Sequence, residues 1–141
     1  MSRIEESVEV AVPVAEAYEQ WCRVSAFPRF MSGVEEVAPG PDGTVHWVAR
    51  VDGVQREFDA EITERIPGER IAWRSVDGAE QSGVVTFHDL GAGRTRIMLQ
   101  LDHTPHGVID LIGDRLGFVA HQVHRCLQDF RVHAESRSRA A

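Results

Sequence analysis

In the stretch from Ile4 to Val12, apolar Val8, Val10 and Val12 recur at every second position, as they do in a strand with one buried face. Val8 and Val10 are separated from each other and from their neighbours by Ser7 and Glu9. This period of two predicts that the stretch forms a first β-strand.

A helix is predicted next, from Pro13 to about Arg23. Proline is well tolerated at the first position of a helix, where its missing N–H would have no partner in any case. One face of this helix is apolar and carries Val14, Ala17, Tyr18, Trp21 and Cys22. The following stretch, Ser25 to Ser32, is rich in large apolar residues around Pro28, and we predict a second short helix or a bend there.

Residues 34–102 return to a period of two, interrupted by turns that contain glycine. The dipeptide Asp52-Gly53 is a strong signal for a two-residue hairpin turn. Such a turn sets Trp47 opposite Phe58, so that both aromatic side chains fall on one face of the sheet. The alternation along each separate strand requires the same face for both residues, which supports the register.

Three more hairpins follow from later turns. These turns are Pro67-Gly68, a three-residue bulged loop near Asp77-Gly78, and Gly91-Ala92-Gly93. The first sets Ile62 opposite Trp73, and the last sets Phe87 opposite Ile97. The predicted apolar face then carries Val45, Trp47, Phe58, Ala60, Ile62, Ile71, Trp73, Val85, Phe87, Ile97, Leu99 and Leu101. The opposite face is charged or polar, which is typical of a sheet with one solvated side.

The last predicted element is a long amphipathic helix that follows Pro105. Its apolar residues recur at intervals of three and four: Val108, Ile112, Leu116, Val119, Val123, Cys126, Leu127 and Phe130. We therefore predict an α+β fold in which a curved antiparallel sheet of six or seven strands wraps around this helix. Residues 1–135 are expected to form one domain and residues 136–141 a frayed tail.

The composition and the net charge exclude some classes of partner for such a domain. The chain has 141 residues, of which 43% are hydrophobic and 26% charged, and its formal net charge is -7. This charge opposes binding to nucleic acid or to anionic membranes, and no apolar run is long enough for stable membrane insertion. Without a recognisable secretory signal, we predict a cytoplasmic protein in which Cys22 and Cys126 are reduced thiols.

Two pairs of residues that contain histidine are the first candidates for a catalytic or metal site, but neither pair supports such a site. His121 and His124 have helical i, i+3 spacing, yet they point away from the apolar stripe and are interpreted as solvated. His46 and Asp59 face each other across two strands, but on the wet side of the sheet, where a surface ladder of charges is expected. No spacing in the sequence indicates a metal ion or another cofactor.

The inward apolar side chains are better candidates, as the lining of a ligand site. The aromatic and aliphatic members are Phe30, Met31, Trp47, Phe58, Trp73, Phe87 and Leu99, together with Ile112, Leu116, Val119 and Val123 on the long helix. The polar members are Ser75, Arg115 and Gln122. The alternatives are that the apolar set only fills a core, and that Arg115 extends to the surface.

Four stretches carry a resemblance to a known superfamily: VAVPVAEAYEQW at 10–21, FPRFMSGVEEV at 27–37, REFDAEITERIPGERIAWRS at 56–75 and GVVTFHDLGAGRTRIMLQLDH at 83–103. With the order of elements, they resemble the helix-grip fold of the steroidogenic-acute-regulatory-related and birch-pollen-allergen-like proteins. The chain is most similar to the bacterial polyketide cyclase/dehydrase branch. The resemblance covers about residues 2–135 and implies a cavity between the sheet and the long helix.

Members of that superfamily include aromatase/cyclases, lipid and sterol carriers and quinone binders, so the resemblance leaves catalysis open. Our main hypothesis is the binding of a small hydrophobic molecule, such as a lipid, a quinone or a polyketide. The alternative is a polyketide aromatase/cyclase in which Arg115, Gln122 or Ser75 assists enolisation or dehydration. A third hypothesis is a protein-interaction module that uses the charged face of the sheet.

Overall fold

Seven antiparallel strands form one curled sheet that packs against a long C-terminal helix. The structure is a computed structural model and describes residues 2–31, 33–40, 43–51, 53–76, 81–103 and 116–140. Its elements are β1 (Ser2–Val10), α1 (Val14–Cys22), a 3₁₀ helix (Val24–Arg29), β2 (Val34–Pro39), β3 (Thr44–Val51), β4 (Val54–Ile66), β5 (Arg70–Ser75), β6 (Gln81–Gly91), β7 (Arg94–His103) and α2 (Leu116–Ala140). The strand order β1-β7-β6-β5-β4-β3-β2 confirms the predicted α+β architecture and places β1 and β2 at the edges.

The connection from β1 to α1 differs from the prediction by one or two residues at each element. β1 ends at Val10 rather than Val12, although the side chain of Val12 is still fully buried. Pro13 is the residue before the helix, with an extended ψ of 150°, so α1 begins at Val14. The carbonyl of Pro13 accepts the first helical hydrogen bond from the N–H of Ala17, at 2.9 Å. The short helix expected after α1 is confirmed as the 3₁₀ helix.

Two of the predicted hairpins have the expected register without change in the paired residues. Trp47 lies opposite Phe58 in the β3–β4 pair, and Phe87 lies opposite Ile97 in the β6–β7 pair. Residues 77–80, where we predicted a three-residue bulged loop between β5 and β6, lie outside the described part of the chain.

The β4–β5 hairpin reaches its predicted register by an irregular route. Its turn contains three residues, because Ile66 pairs with Arg70, and this alone would shift every later pair by one residue. An irregularity between Ile62 and Glu64 compensates for that shift, so that Ile62 lies opposite Trp73 as predicted. A bulge of this kind keeps the apolar side chains on one face, because a one-residue slip would turn them all over.

Helix α2 buries Leu127, Phe130 and Ala134 completely, as its predicted apolar stripe requires. The helix extends to Ala140, so helical structure continues into the segment 136–141 that we expected to be frayed. The division into one domain and a tail stays a prediction. The expected stripe residues Val108 and Ile112 lie outside the described part of the chain. Among the described helices, none is both long and apolar enough to cross a membrane.

Candidate ligand-binding site

The inner face of the sheet, which faces α2, is fully buried at one end and partly buried at the other. Val85 and Ile97 are 0% exposed and Phe87 is 5% exposed. One register row away, four residues are aligned across β4, β5, β6 and β7: Ile62, Trp73, Gly83 and Leu101. We call this row the open row, because its three apolar side chains are only partly buried.

Aromatic rings fill the buried end, which we call the packed end and define by Trp21, Phe27, Phe87, Leu127 and Phe130. The ring of Trp21 is the centre of the group, and its centroid lies 4.9 Å from that of Phe130 and 5.4 Å from that of Phe27, both at steep angles. Edge-to-face contacts of this kind are favourable. Because all five side chains are nearly or completely buried, the packed end is a core and offers no surface to a ligand.

The open row is built around a close contact between an indole ring and a glycine. Trp73 and Gly83 are direct partners across β5 and β6, and Gly83 is partnered by Leu101 on its other side. A Cβ atom on Gly83 would stand 2.7 Å from Cε2 of Trp73 and 2.9 Å from Cδ2 of Leu101. The two side chains therefore converge over the glycine and occupy the space that a side chain at position 83 would need.

The N-terminal half of α2 is held by one polar contact on each flank. Gln122 donates from Nε2 to the carbonyl oxygen of Arg50 at 3.0 Å, which ties the helix to the end of β3. On the other flank, Nδ1 of His124 lies 3.2 Å from Oε1 of Glu6 on β1. Between these flanks Val123 is only partly buried.

The C-terminal half of α2 has a similar pair of flanking contacts but a filled centre. Oε2 of Glu135 accepts from the N–H of Ala11 at 2.8 Å. The ring of His133 stacks on Phe30, with centroids 3.9 Å apart and planes 9° from parallel. Burial, and then the positive charge of Arg137, lower the pKa of His133, so that this ring is neutral in the stack. The helix thus has Leu127 and Phe130 in the packed end, and Gln122 ties its N-terminal half to the end of β3.

Comparison with known proteins agrees with this geometry. Residues 10–131, most of the chain, match the polyketide cyclase/dehydrase and lipid transport family. The chain belongs to this family. A protein of Streptomyces lincolnensis, described as an uncharacterised 17.2 kDa protein, is 53% identical over 138 residues, which cover 97% of this chain and 92% of that protein.

Two solved structures have the same fold. The Zhui aromatase/cyclase from Streptomyces sp. R1128 has a TM-score of 0.87 with 21% identity, over 99% of this chain and 96% of that protein. A START superfamily protein from Mycobacterium smegmatis has a TM-score of 0.66 with 17% identity, over 89% of this chain and 97% of that protein. At these identities the similarity establishes the helix-grip fold and leaves the ligand to be argued from this chain's own residues.

The structure places the predicted ligand-binding residues of this family member in different environments. Trp47, Trp73, Ser75 and Val123 are partly buried; Trp73 lies in the open row, whereas the ring centroid of Trp47 lies 6.0 Å from that of Phe27 in the packed end. In the buried core or against it are Phe30, Met31, Phe87 and Leu99. Gln122 is bonded to the Arg50 carbonyl. Outside the description are residues Ile112 and Arg115 and the side chains of Phe58, Leu116 and Val119.

Glu6 is a candidate site residue that the sequence analysis missed. It lies opposite Leu99 and therefore on the inner face of β1, between the buried side chains of Ile4 and Val8. Because every second residue of a strand faces the same side, the positions of Ile4 and Val8 in the sequence already placed Glu6 on the inner face. Its partner His124 was interpreted as solvated, and its side chain is 48% exposed, yet it lies within reach of the Glu6 carboxylate. The pair places an acid and a base beside the inner face.

The other reactive side chains do not form a second site. Cys22 and Cys126 are free thiols, and burial, assisted by the charge of Asp129, raises the pKa of Cys126 to about 11, which keeps that thiol neutral. On the outer face, His46 lies between Asp59 at 2.8 Å and Glu57 at 3.1 Å, in the surface ladder that we predicted. Within the described ranges, no group of three or more His, Cys, Asp or Glu side chains is arranged so that it could hold a metal ion.

Proposed function

We propose that this protein binds a small hydrophobic molecule, such as a lipid, a quinone or a polyketide, in a cavity between the open row and the N-terminal half of α2. One observation carries the proposal. Apolar side chains of the inner face, including the indoles of Trp47 and Trp73, are only partly buried, whereas Val85 and Ile97 on the same face are 0% exposed. A partly covered apolar surface inside a curled sheet is typical of small-molecule sites.

The energetics of such a site require polar contacts as well as apolar ones. Burial of ~300 Å² of apolar ligand surface at roughly 25 cal/mol per Å² contributes about 7 kcal/mol. Loss of translational and rotational freedom costs about 4–15 kcal/mol, so apolar burial alone gives little net affinity. We propose that Ser75, Gln122 and the Glu6–His124 pair supply the polar contacts that select the ligand.

The family supports ligand binding without deciding what happens to the ligand, because its description includes lipid transport as well as cyclase and dehydrase activity. We also propose that the protein acts in the cytoplasm, where its two free thiols would stay reduced. The formal net charge of -7 opposes nucleic acid as a partner.

A polyketide aromatase/cyclase is the second candidate, and the Glu6–His124 pair is the observation that favours it. A carboxylate beside an imidazole can hold a ring nitrogen in position while the other nitrogen takes up a proton, as enolisation of a poly-β-ketone requires. Conversion of a poly-β-ketone to a cyclised product, lost in His124→Ala and retained in His121→Ala, would support this candidate. Equal product yield from both variants would exclude His124 as the base.

Tryptophan fluorescence tests the main proposal directly. We expect naphthol and hydroxypyrene, two neutral aromatic probes, to change the emission of the wild-type protein in a saturable way. Trp73→Phe removes the reporter in the open row and most of the change, whereas Trp21→Phe removes an indole of the packed end and leaves the change in place. If neither probe gives a saturable response with the wild-type protein, and neither stabilises it against heat, the proposed binding function is wrong.

A further inference from the structure

Gly83 is an unusual residue for the place that it occupies. It lies in the interior of β6, on the inner face, and it is buried, although its φ is not one that demands glycine. Glycine in the middle of a strand weakens the strand, and it often marks a place where another group approaches the backbone closely. At this position the approaching group is the indole of Trp73, from the neighbouring strand.

The contact sets the height of the indole above the sheet. With no side chain at position 83, the six-membered part of the indole lies directly against the strand, and Leu101 closes the same space from the other side. Because the missing Cβ would point inward, a methyl group there could be accommodated only if the indole moved away from the sheet. That direction leads into the ligand site proposed above.

We propose that Gly83 determines the depth of the ligand site, as a positioning residue that acts through Trp73, and that it suits the site to a wide, flat, neutral aromatic ligand. The inference rests on the proposed function and adds a size limit to it. The indole of Trp73 offers a flat apolar surface that favours stacking with such a ligand. The described residues of the open row carry no charge that would favour an ionic one.

The Gly83→Ala variant tests the depth of the site with two probes of different size. We expect hydroxypyrene, with four fused rings, to bind about tenfold or more weakly than to the wild type, because the displaced indole fills part of the site. Naphthol, with two fused rings, should bind within about threefold of the wild type. Gly40→Ala is the control, at a second glycine whose φ is not positive; it lies in the β2–β3 connection, and its added Cβ would stand 2.9 Å from the side-chain Oγ1 of Thr44, so that both variants introduce a close contact.

If Gly83 had a purely structural role, Gly83→Ala would bind both probes more weakly by the same factor. The ratio of the two affinities is therefore the deciding measurement. In the double variant Gly83→Ala/Trp73→Leu the indole is absent, and we expect the ratio to return to that of Trp73→Leu alone. An unchanged ratio in Gly83→Ala, with binding of both probes intact, would overturn the depth proposal while leaving the binding function in place. If the wild-type protein bound neither probe, the binding function itself would be refuted.

A second variant keeps the inference testable if the Gly83→Ala chain does not fold. Trp73→Phe reduces the ring that lies over Gly83 and frees part of the space above it, and the glycine itself is unchanged. Here we expect the opposite shift, in which hydroxypyrene gains affinity relative to naphthol by about threefold or more. A ratio equal to that of the wild type would show that the ring over Gly83 does not limit the site.

Discussion

The packed end and the open row lie on the same face of the same sheet, and along β6 only one residue, Val84, lies between Gly83 and Val85. Val85 is 0% exposed, whereas the side chains beside Gly83 are partly buried. The difference comes from the connection between β1 and β2. Its α1 packs on β6 and β7 and contributes Trp21, and its 3₁₀ helix contributes Phe27, both to the packed end. The proposed ligand site lies on the part of the inner face beside Gly83.

The largest expected effect comes from emptying the packed end. Phe130 is 0% exposed and contacts Trp21 and Phe30. Phe130→Ala should lower the free energy of unfolding by about 3–5 kcal/mol, because it removes buried ring surface and leaves a cavity. Trp73→Ala removes a larger ring from the open row but should cost clearly less, since that side chain is only partly buried. Urea unfolding of the two variants provides the measurement.

The comparison would fail if Trp73→Ala destabilised the protein as much as Phe130→Ala. The open row would then be a second packed core. Unfolding curves with equal slopes are required for this comparison, since a change in slope would indicate a change in the unfolded or native state rather than in packing alone.

A buried polar contact at the packed end gives the next largest effect. Thr95 is 0% exposed, and its hydroxyl donates to the carbonyl oxygen of Val12 at 2.7 Å. Thr95→Val keeps the shape but leaves this carbonyl without its donor, so we expect a loss of about 1–3 kcal/mol. Thr86→Val on the outer face is the matched control and should change stability by less than about 0.5 kcal/mol. Equal losses would contradict the proposed burial difference between the two faces.

Gln122 tests the light attachment of α2 beside the open row. Its Nε2 also lies over Gly33, whose φ is +83°, so the loop before β2 and the end of β3 are both in contact with this amide. Gln122→Ala should cost about 1 kcal/mol in stability at most, but it should speed both uptake and release of hydroxypyrene in stopped-flow fluorescence. Gln100→Ala removes a similar bond to Glu5 on the outer face and should leave both rates unchanged.

The smallest effect lies on the outer face and should leave both inner regions unaffected. The carboxylate of Asp59, and then that of Glu57, raise the pKa of His46 above its ordinary value of 6.5. The protonated ring therefore stabilises the folded state below about pH 6.5, and this contribution is lost as the pH rises through the higher folded-state pKa. Urea unfolding at about pH 6 and pH 9 should show a small advantage of the wild type over His46→Gln at the lower pH only.

Much of the fold could be predicted because its signals are local. The turn at Asp52-Gly53 and the alternation on either side both specify the Trp47–Phe58 register. Because the two signals are independent, a wrong register from the turn would have disagreed with the alternation. The candidate site was less predictable. Phe87 and Trp73 have the same inward position in their strands, and only the placement of α1 makes the first a core residue and the second a partly exposed one.

The contacts between the two ends of the chain also set an order of events during synthesis. β1 pairs only with β7 in the sheet, and the bond between Ala11 and Glu135 joins residues 124 positions apart. β1 leaves the ribosome before β7 and must therefore wait, without this partner, until β7 has been made. Contacts this distant slow folding, because a long loop must be closed before they contribute any stability. For this protein, the nascent chain before β7 is the form most exposed to aggregation and to chaperones.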